Sequence, residues 1–182
     1  VTEIGCGTGD ILVALEPSHG IGVDVSSQMI EIAKKKYATH SALTFEVGDI
    51  CTMQQKIDAP FVVMTDVLEH VGDSAKCMGN LARLLTPSTR IIVTLANPFW
   101  EPVLEVTEKF GMKMPEGPHE RITIAQNEKI FAEKGFCIVE KGYQLLIPKK
   151  VPGADWLNTR FYRWPLVRRF GFVIFWVLEY EG

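Results

Sequence analysis

The chain of 182 residues is 47% hydrophobic, enough to fill one α/β core and too short to need a second, so a single domain spanning 1–182 is expected. A net charge of −3 argues against a surface built for nucleic-acid phosphates, which needs clustered positive charge. Cys6, Cys51, Cys77 and Cys137 include no Cys-x-x-Cys pair, which speaks against a zinc knuckle or redox dithiol and for a reduced, cytoplasmic setting.

The first segment, Val1-Thr-Glu-Ile-Gly-Cys-Gly-Thr-Gly9, reads as an apolar strand carrying an acid that runs into glycines at alternate positions. Such glycines let the backbone turn sharply and approach a nucleoside with no Cβ in between. A short helix over about Asp10 to Leu15 is expected, then a buried strand, Gly20 to Asp24, ending in a carboxylate placed to accept both ribose hydroxyls. Ser26 is the expected N-cap of a crossover helix with Met29, Ala33 and Tyr37 on one face and Glu31 paired with Lys35. A third strand, Leu43 to Val47, ends in Gly48-Asp49-Ile50, which sets a second acid at the same edge, within reach of an adenine amine.

Ala59 to Met64 reads as the fourth strand. Asp66, Glu69 and His70 follow at i, i+3 and i+4, so a helix starting at the strand tip would point all three the same way. Val71, Ala75, Met78, Ala82 and Leu85 then repeat at helical spacing until Thr86-Pro87 ends the run, and Arg90 to Ala96 is the fifth strand. Residues 97–118 read as an insertion that lids the pocket, with Asn97-Pro-Phe-Trp100 as a turn holding an apolar anchor. A helix from about Thr123 to Lys134, closed by Gly135, leads to a strand over Phe136 to Leu146. Residues 147–171 form a second insertion. Within it, Arg160 to Phe170 interleaves cations with aromatics, as a packed surface helix with snorkelling arginines or as an interfacial segment touching a membrane or an amphipathic substrate. Phe172 to Leu178 is apolar but far short of the roughly 20 residues of a membrane span, and its β-branched and aromatic content favours a buried strand.

Strands alternating with helices imply parallel right-handed crossovers, with ligands bound beyond the carboxyl ends of the strands. That rule places His70 and His119, which follow strands, at the site, and His19 and His40, which precede strands, on the far rim.

On Glu3-Ile-Gly-Cys-Gly-Thr-Gly9, Gly22-Val-Asp-Val-Ser26, Gly48-Asp49-Ile50 and Asp66-Val-Leu-Glu-His-Val71, in that order, the chain resembles the class I S-adenosylmethionine-dependent methyltransferases. The last block is similar to the small-molecule branch that contains the ubiquinone-biosynthesis O-methyltransferases. The resemblance implies an α/β fold: a Rossmann-like, seven-stranded, mostly parallel sheet with an antiparallel last strand and helices on both faces. It implies S-adenosyl-L-methionine as cofactor, S-adenosyl-L-homocysteine as product and a small-molecule or amphipathic acceptor, with no nucleic acid. Glu3, Gly5, Cys6, Gly7, Thr8, Gly9, Asp24, Val25, Met29, Gly48, Asp49, Ile50, Thr65 and Asp66 are then the cofactor residues. Members of the family carry a helix before the first strand, so a segment preceding Val1 is expected.

O-methylation is the leading expectation. Methyl transfer to a weak nucleophile such as a phenol needs a base that titrates near neutrality, and His70 and His119, with Glu69 orienting, are the candidates. A divalent metal on Asp66, Glu69, His70 and His119 is a second reading, although Asp66 stands where those enzymes carry Glu. A third has Glu69 and His70 only bracing the next helix. Methylation of carbon or nitrogen on a small or lipid-like acceptor, and a non-catalytic cofactor-binding subunit, stay open as alternatives. The Gly5-x-Gly-x-Gly9 spacing disfavours a nicotinamide oxidoreductase.

Overall fold

A parallel strand buried on both faces must be apolar almost throughout, and Phe61–Thr65, with Val62, Val63 and Met64 buried, has that composition at the centre of the sheet. The structure is a computed structural model and describes residues 1–100, 123–145, 153–160, 164 and 167–181. In chain order its elements are β1 (Thr2–Ile4), α1 (Asp10–Ala14), β2 (Gly20–Asp24), α2 (Ser27–Lys36), β3 (Leu43–Val47), β4 (Phe61–Thr65), α3 (Ser74–Leu84) and β5 (Arg90–Ala96). They continue with a 3-10 turn (Pro98–Trp100), α4 (Ile124–Glu133), β6 (Phe136–Gln144), α5 (Ala154–Arg160), a second 3-10 turn (Arg168–Phe170) and β7 (Val173–Tyr180).

The seven strands form one sheet in the order β3-β2-β1-β4-β5-β7-β6. β1 to β5 run parallel, and β7 lies antiparallel between β5 and β6. The chain reverses direction across the middle of the sheet, at β1 and β4, which is where a doubly wound sheet opens a crevice at its carboxyl edge.

Pleat alternation sends neighbouring residues to opposite faces. Ile4 and Val23, paired in register, join a large core with Met78 and Leu81 of α3, Phe131 of α4 and Trp176 of β7. Glu3, Gly22 and Phe45, also paired in register, face the other way, where Phe45 packs with Leu12 of α1 and Ile30 and Ala33 of α2. Trp176 is fully buried, and its Nε1–H donates to Glu128 Oε1 at 2.9 Å, so the one polar atom of the indole is satisfied.

Several local expectations are corrected. The buried face of α2 is Ile30 and Ala33, with Met29 40% exposed, because the helix begins one residue after its Ser26 cap and sets its phase from there. Glu31 pairs with Lys34 at 3.9 Å, not with Lys35. Helix α3 starts at Ser74 under an Asp73 N-cap, so Val71 lies outside it. α5 was not foreseen, and Arg168–Phe170 is a 3-10 turn rather than part of one surface helix from Arg160. His19 and His40 sit exposed at the amino ends of β2 and β3, as the topology requires. No helix among the described residues is long and apolar enough to cross a membrane.

The expectation of reduced cysteines is corrected: Cys51 and Cys77, 26 positions apart in sequence, are bonded to each other. The loop after β3 folds back against α3, so separation in sequence carried no information about separation in space. Reduction is expected to lower unfolding free energy by about 2 to 4 kcal/mol, the usual effect of opening a loop of this size, measured by denaturant titration with and without a thiol reductant.

Candidate active site

Each residue of the opening loop has a distinct task. Gly9 has φ 81 and caps α1, and a Cβ there would come within 2.5 Å of the Phe45 ring. Gly7 has φ 51, yet a Cβ there would meet nothing within 4 Å, so its side-chain position opens onto clear space. The Gly7 N–H donates to Asp24 Oδ2 at 2.8 Å and the Ser26 N–H to Asp24 Oδ1 at 2.8 Å. Asp24 thus fastens the loop to the tip of β2, and each carboxylate oxygen keeps a second lone pair.

Glu3 lies beneath the loop, 1% exposed, accepting the Leu12 N–H at 3.0 Å. Burial pushes its carboxyl up to about 7, the Leu12 N–H opposes that, and the negative Asp24 and Asp10 add to it. The folded chain therefore holds a proton that the unfolded chain has released between the usual carboxyl value and about pH 7, so stability falls as pH rises through that window. Glu3→Gln keeps an acceptor for Leu12 and is expected to remove this decline, read from melting temperatures at pH 4.5 to 7.5 beside the parent.

Cys6 is buried, and burial with the negative Glu3 and Asp24 nearby pushes its thiol up to about 12, so it stays protonated and inert. Thr8 turns its hydroxyl to Asp10 Oδ2 at 2.5 Å. Hydrogen bonds from Lys36, Thr8 and Tyr37 hold the Asp10 carboxyl well below its usual range.

A cleft of about 460 Å³ opens at the carboxyl edge beside this loop. Gly5, Asp24, Val25, Gly48, Asp49, Ile50, Thr65, Asp66 and His70 line it, all singled out from the sequence. Glu3, Cys6, Gly7, Thr8, Gly9, Met29 and Glu69 stand outside the lining. Ile4, Cys51, Val67, Val71 and Gly72 also line it and were not foreseen. The available signal was adjacency, since each is a chain neighbour of an expected residue or of another in that list, at a turn where consecutive residues face the same space. Asp49 Oδ1 accepts the Cys51 N–H at 2.8 Å, which orients that carboxylate over the end of β3.

The segment after β4 corrects the expected geometry. Asp66 adopts φ 54, its N–H donates to Thr94 O at 3.1 Å, and Thr94 Oγ1 lies 3.5 Å from its Oδ1. A left-handed residue ends helical continuation, so Asp66, Glu69 and His70 do not share a helix face. They sit on a turn anchored by fully buried Leu68, whose carbonyl accepts Ser74 Oγ–H at 3.0 Å. Glu69 Oε1 lies 3.6 Å from His70 Nε2, an ion pair once the imidazole is protonated, and the His70 side chain is half exposed. His119 lies outside the described residues. Among those residues no three His, Cys, Asp or Glu side chains converge to hold a metal ion.

Asn97 is 4% exposed, and its amide is fully engaged: Nδ2 donates to Arg169 O at 3.1 Å and Gly171 O at 2.7 Å, while Oδ1 accepts the Phe99 N–H at 3.1 Å. The turn ties the end of β5 to the segment entering β7.

This site suits S-adenosylmethionine. Acceptors stand at the tips of β2 and β3, apolar walls come from Val25 and Ile50, and the space above Gly7 is clear. A family model described as "Methyltransferase domain" matches residues 1–140. The chain is 38% identical over 96 residues to a demethylmenaquinone methyltransferase of Leptospira interrogans, covering 48% of this chain and 39% of that protein. It is 26% identical over 102 residues to an O-methyltransferase of Pyrenophora dematioidea, covering 51% of this chain and 38% of that one. The chain thus spans about two fifths of the length of these curated relatives. Its fold matches a magnesium protoporphyrin IX methyltransferase from Synechocystis PCC 6803 with bound S-adenosylhomocysteine, at a TM-score of 0.64 and 23% identity over 99% of this chain and 73% of that one.

Proposed function

The chain belongs to the methyltransferase-domain family, and from that premise we propose that it moves a methyl group from S-adenosylmethionine to an oxygen of a small or amphipathic acceptor. The observation that carries this reading is a single cleft with Asp24 and Asp49 at the tips of adjacent strands and His70 on the turn after β4. The demethylmenaquinone methyltransferase and the O-methyltransferase that the chain resembles support a small or amphipathic acceptor, and the second supports oxygen as the atom methylated.

In this reading Asp24 accepts the ribose hydroxyls through the lone pairs that Gly7 and Ser26 leave, and Asp49 accepts the adenine amine. Val25 and Ile50 flank the base, and the loop from Gly5 to Gly9 receives the amino-acid end, Gly7 leaving room for it. When bound, S-adenosylmethionine supplies an electrophilic methyl on sulfonium, so the protein's work is alignment of the acceptor and exclusion of water. Val67 and Val71 provide an apolar wall for the acceptor side. His70 takes the hydroxyl proton on an imidazole nitrogen, with the Glu69 carboxylate 3.6 Å from that ring. Residues 101–118 and 147–152 of the two expected insertions lie outside the described residues.

Calorimetry with S-adenosylmethionine and with NAD tests the cofactor. We expect binding of the former only, weakened about 10- to 150-fold by Asp24→Ala, the range for losing a hydrogen bond to a charged group. NAD binding without S-adenosylmethionine binding would sink the reading. S-adenosylhomocysteine formation across a panel of phenols, catechols, carboxylic acids and amines then tests the acceptor atom. Intact cofactor binding with no turnover on any acceptor would point to a non-catalytic subunit instead.

A further inference from the structure

The sheet edge that carries the cleft also carries an exposed aromatic and cationic surface formed by residues outside the cleft lining. Between Asp155 and Glu179 the sequence holds Arg160, Arg163, Arg168 and Arg169 and no acid, a local charge of +4 on a chain of net charge −3. At the carboxyl end of β5, Phe99 and Phe170 pack edge to face with ring centroids 5.0 Å apart, yet remain 55% and 46% exposed. Their backbone is held firmly: Asn97 Nδ2 bonds the carbonyls of Arg169 and Gly171, and Trp100 Nε1–H donates to Phe170 O at 2.9 Å. Arg169 is exposed beside Phe170, and Trp164, five residues earlier, is 56% exposed.

Single exposed apolar residues are ordinary on a protein surface, but an aromatic pair with a hydrogen-bonded backbone beside an exposed arginine is not. Rings of this kind enter the headgroup layer of a bilayer, while arginines stay at the phosphates. We propose that the surface formed by Phe99, Arg169 and Phe170, with Trp164 adjoining in the chain, docks on an anionic membrane. The excess of positive charge selects anionic over zwitterionic lipid. Thr65 pairs with Thr94 near the end of β5, so this surface and the cleft share one edge of the sheet, and docking turns that edge toward the bilayer. The contact is independent of which atom is methylated.

Flotation of the full chain with vesicles of phosphatidylcholine, alone or mixed with phosphatidylglycerol, tests this. Binding is expected to the mixed vesicles, to fall at high salt, and to weaken about fivefold in Arg169→Gln, the value of one arginine at an anionic surface. Phe99→Ser with Phe170→Ser is expected to abolish it while S-adenosylhomocysteine binding persists, which shows that the variant is folded. Equal binding to both vesicle types, no binding to either, or undiminished binding by Arg169→Gln and the double variant overturns the proposal. So does a concentration-dependent dimer dissolved by the same substitutions, because the surface then belongs to a second copy.

Discussion

Gly7→Val is expected to abolish S-adenosylhomocysteine binding while the chain still folds. A Cβ on Gly7 meets no protein atom within 4 Å, so the substitution creates no internal clash. Its cost to the fold is the strain of φ 51 in a β-branched residue, about 1 to 2 kcal/mol, or a few degrees in melting temperature. The added methyls occupy the clear space over the loop, which the proposed reading assigns to the cofactor's amino-acid end. Far-UV circular dichroism and calorimetry together make the test. A folded variant that binds with the parent's affinity would show that the loop is not the cradle. Gly7→Ala carries less strain and should be intermediate, which keeps the comparison useful if the valine variant is poorly stable.

His70→Asn is expected to lower turnover by roughly 10² to 10⁴-fold with little change in cofactor affinity, the usual effect of removing a general base. His70 lines the cleft with its side chain half exposed, and Glu69 Oε1 lies 3.6 Å away. Asparagine keeps polarity but cannot take a proton at neutral pH. Glu69→Gln should act through His70, lowering turnover less than His70→Asn does. Chelation separates a base from a metal site, since a simple base predicts no loss on adding a chelator. If His70→Asn and the chelated parent both keep full turnover on a working acceptor, positioning alone carries the reaction on the described side of the cleft.

Local chemistry that repeats along the chain was legible without coordinates. β2, β3 and β5 begin and end where turn residues and β-branched runs place them, and β7 lies antiparallel beside the sixth strand as expected. Asp24, Asp49 and His70 reach one cleft because parallel strands with right-handed crossovers deliver every strand end to the same edge. That inference needs only the order of elements. The capping Ser26 could likewise be read from sequence, since an N-cap is satisfied by a donor three residues away, here the Met29 N–H.

What sequence could not settle depends on contacts between distant segments or on one backbone dihedral. Asp66, Glu69 and His70 have helical spacing, but the left-handed turn at Asp66, held by Thr94 on the neighbouring strand, disperses them. Glu3 is visible in the sequence as the acid of the opening strand, but its place beneath the loop on the Leu12 N–H is a partner chosen by how α1 packs on β1. Cys51 and Cys77 meet because the loop after β3 returns to α3, and Asn97 is consumed by carbonyls more than 70 residues away. Sequence by itself determined the family, the strand edge at which the cleft opens and the acids that line it, because motif spacing and crossover handedness are local rules. Only the tertiary structure decided which side chains at that edge face the cleft and which are spent holding it together, because a carboxylate or amide bonds whichever donor the packed chain brings within about 3 Å.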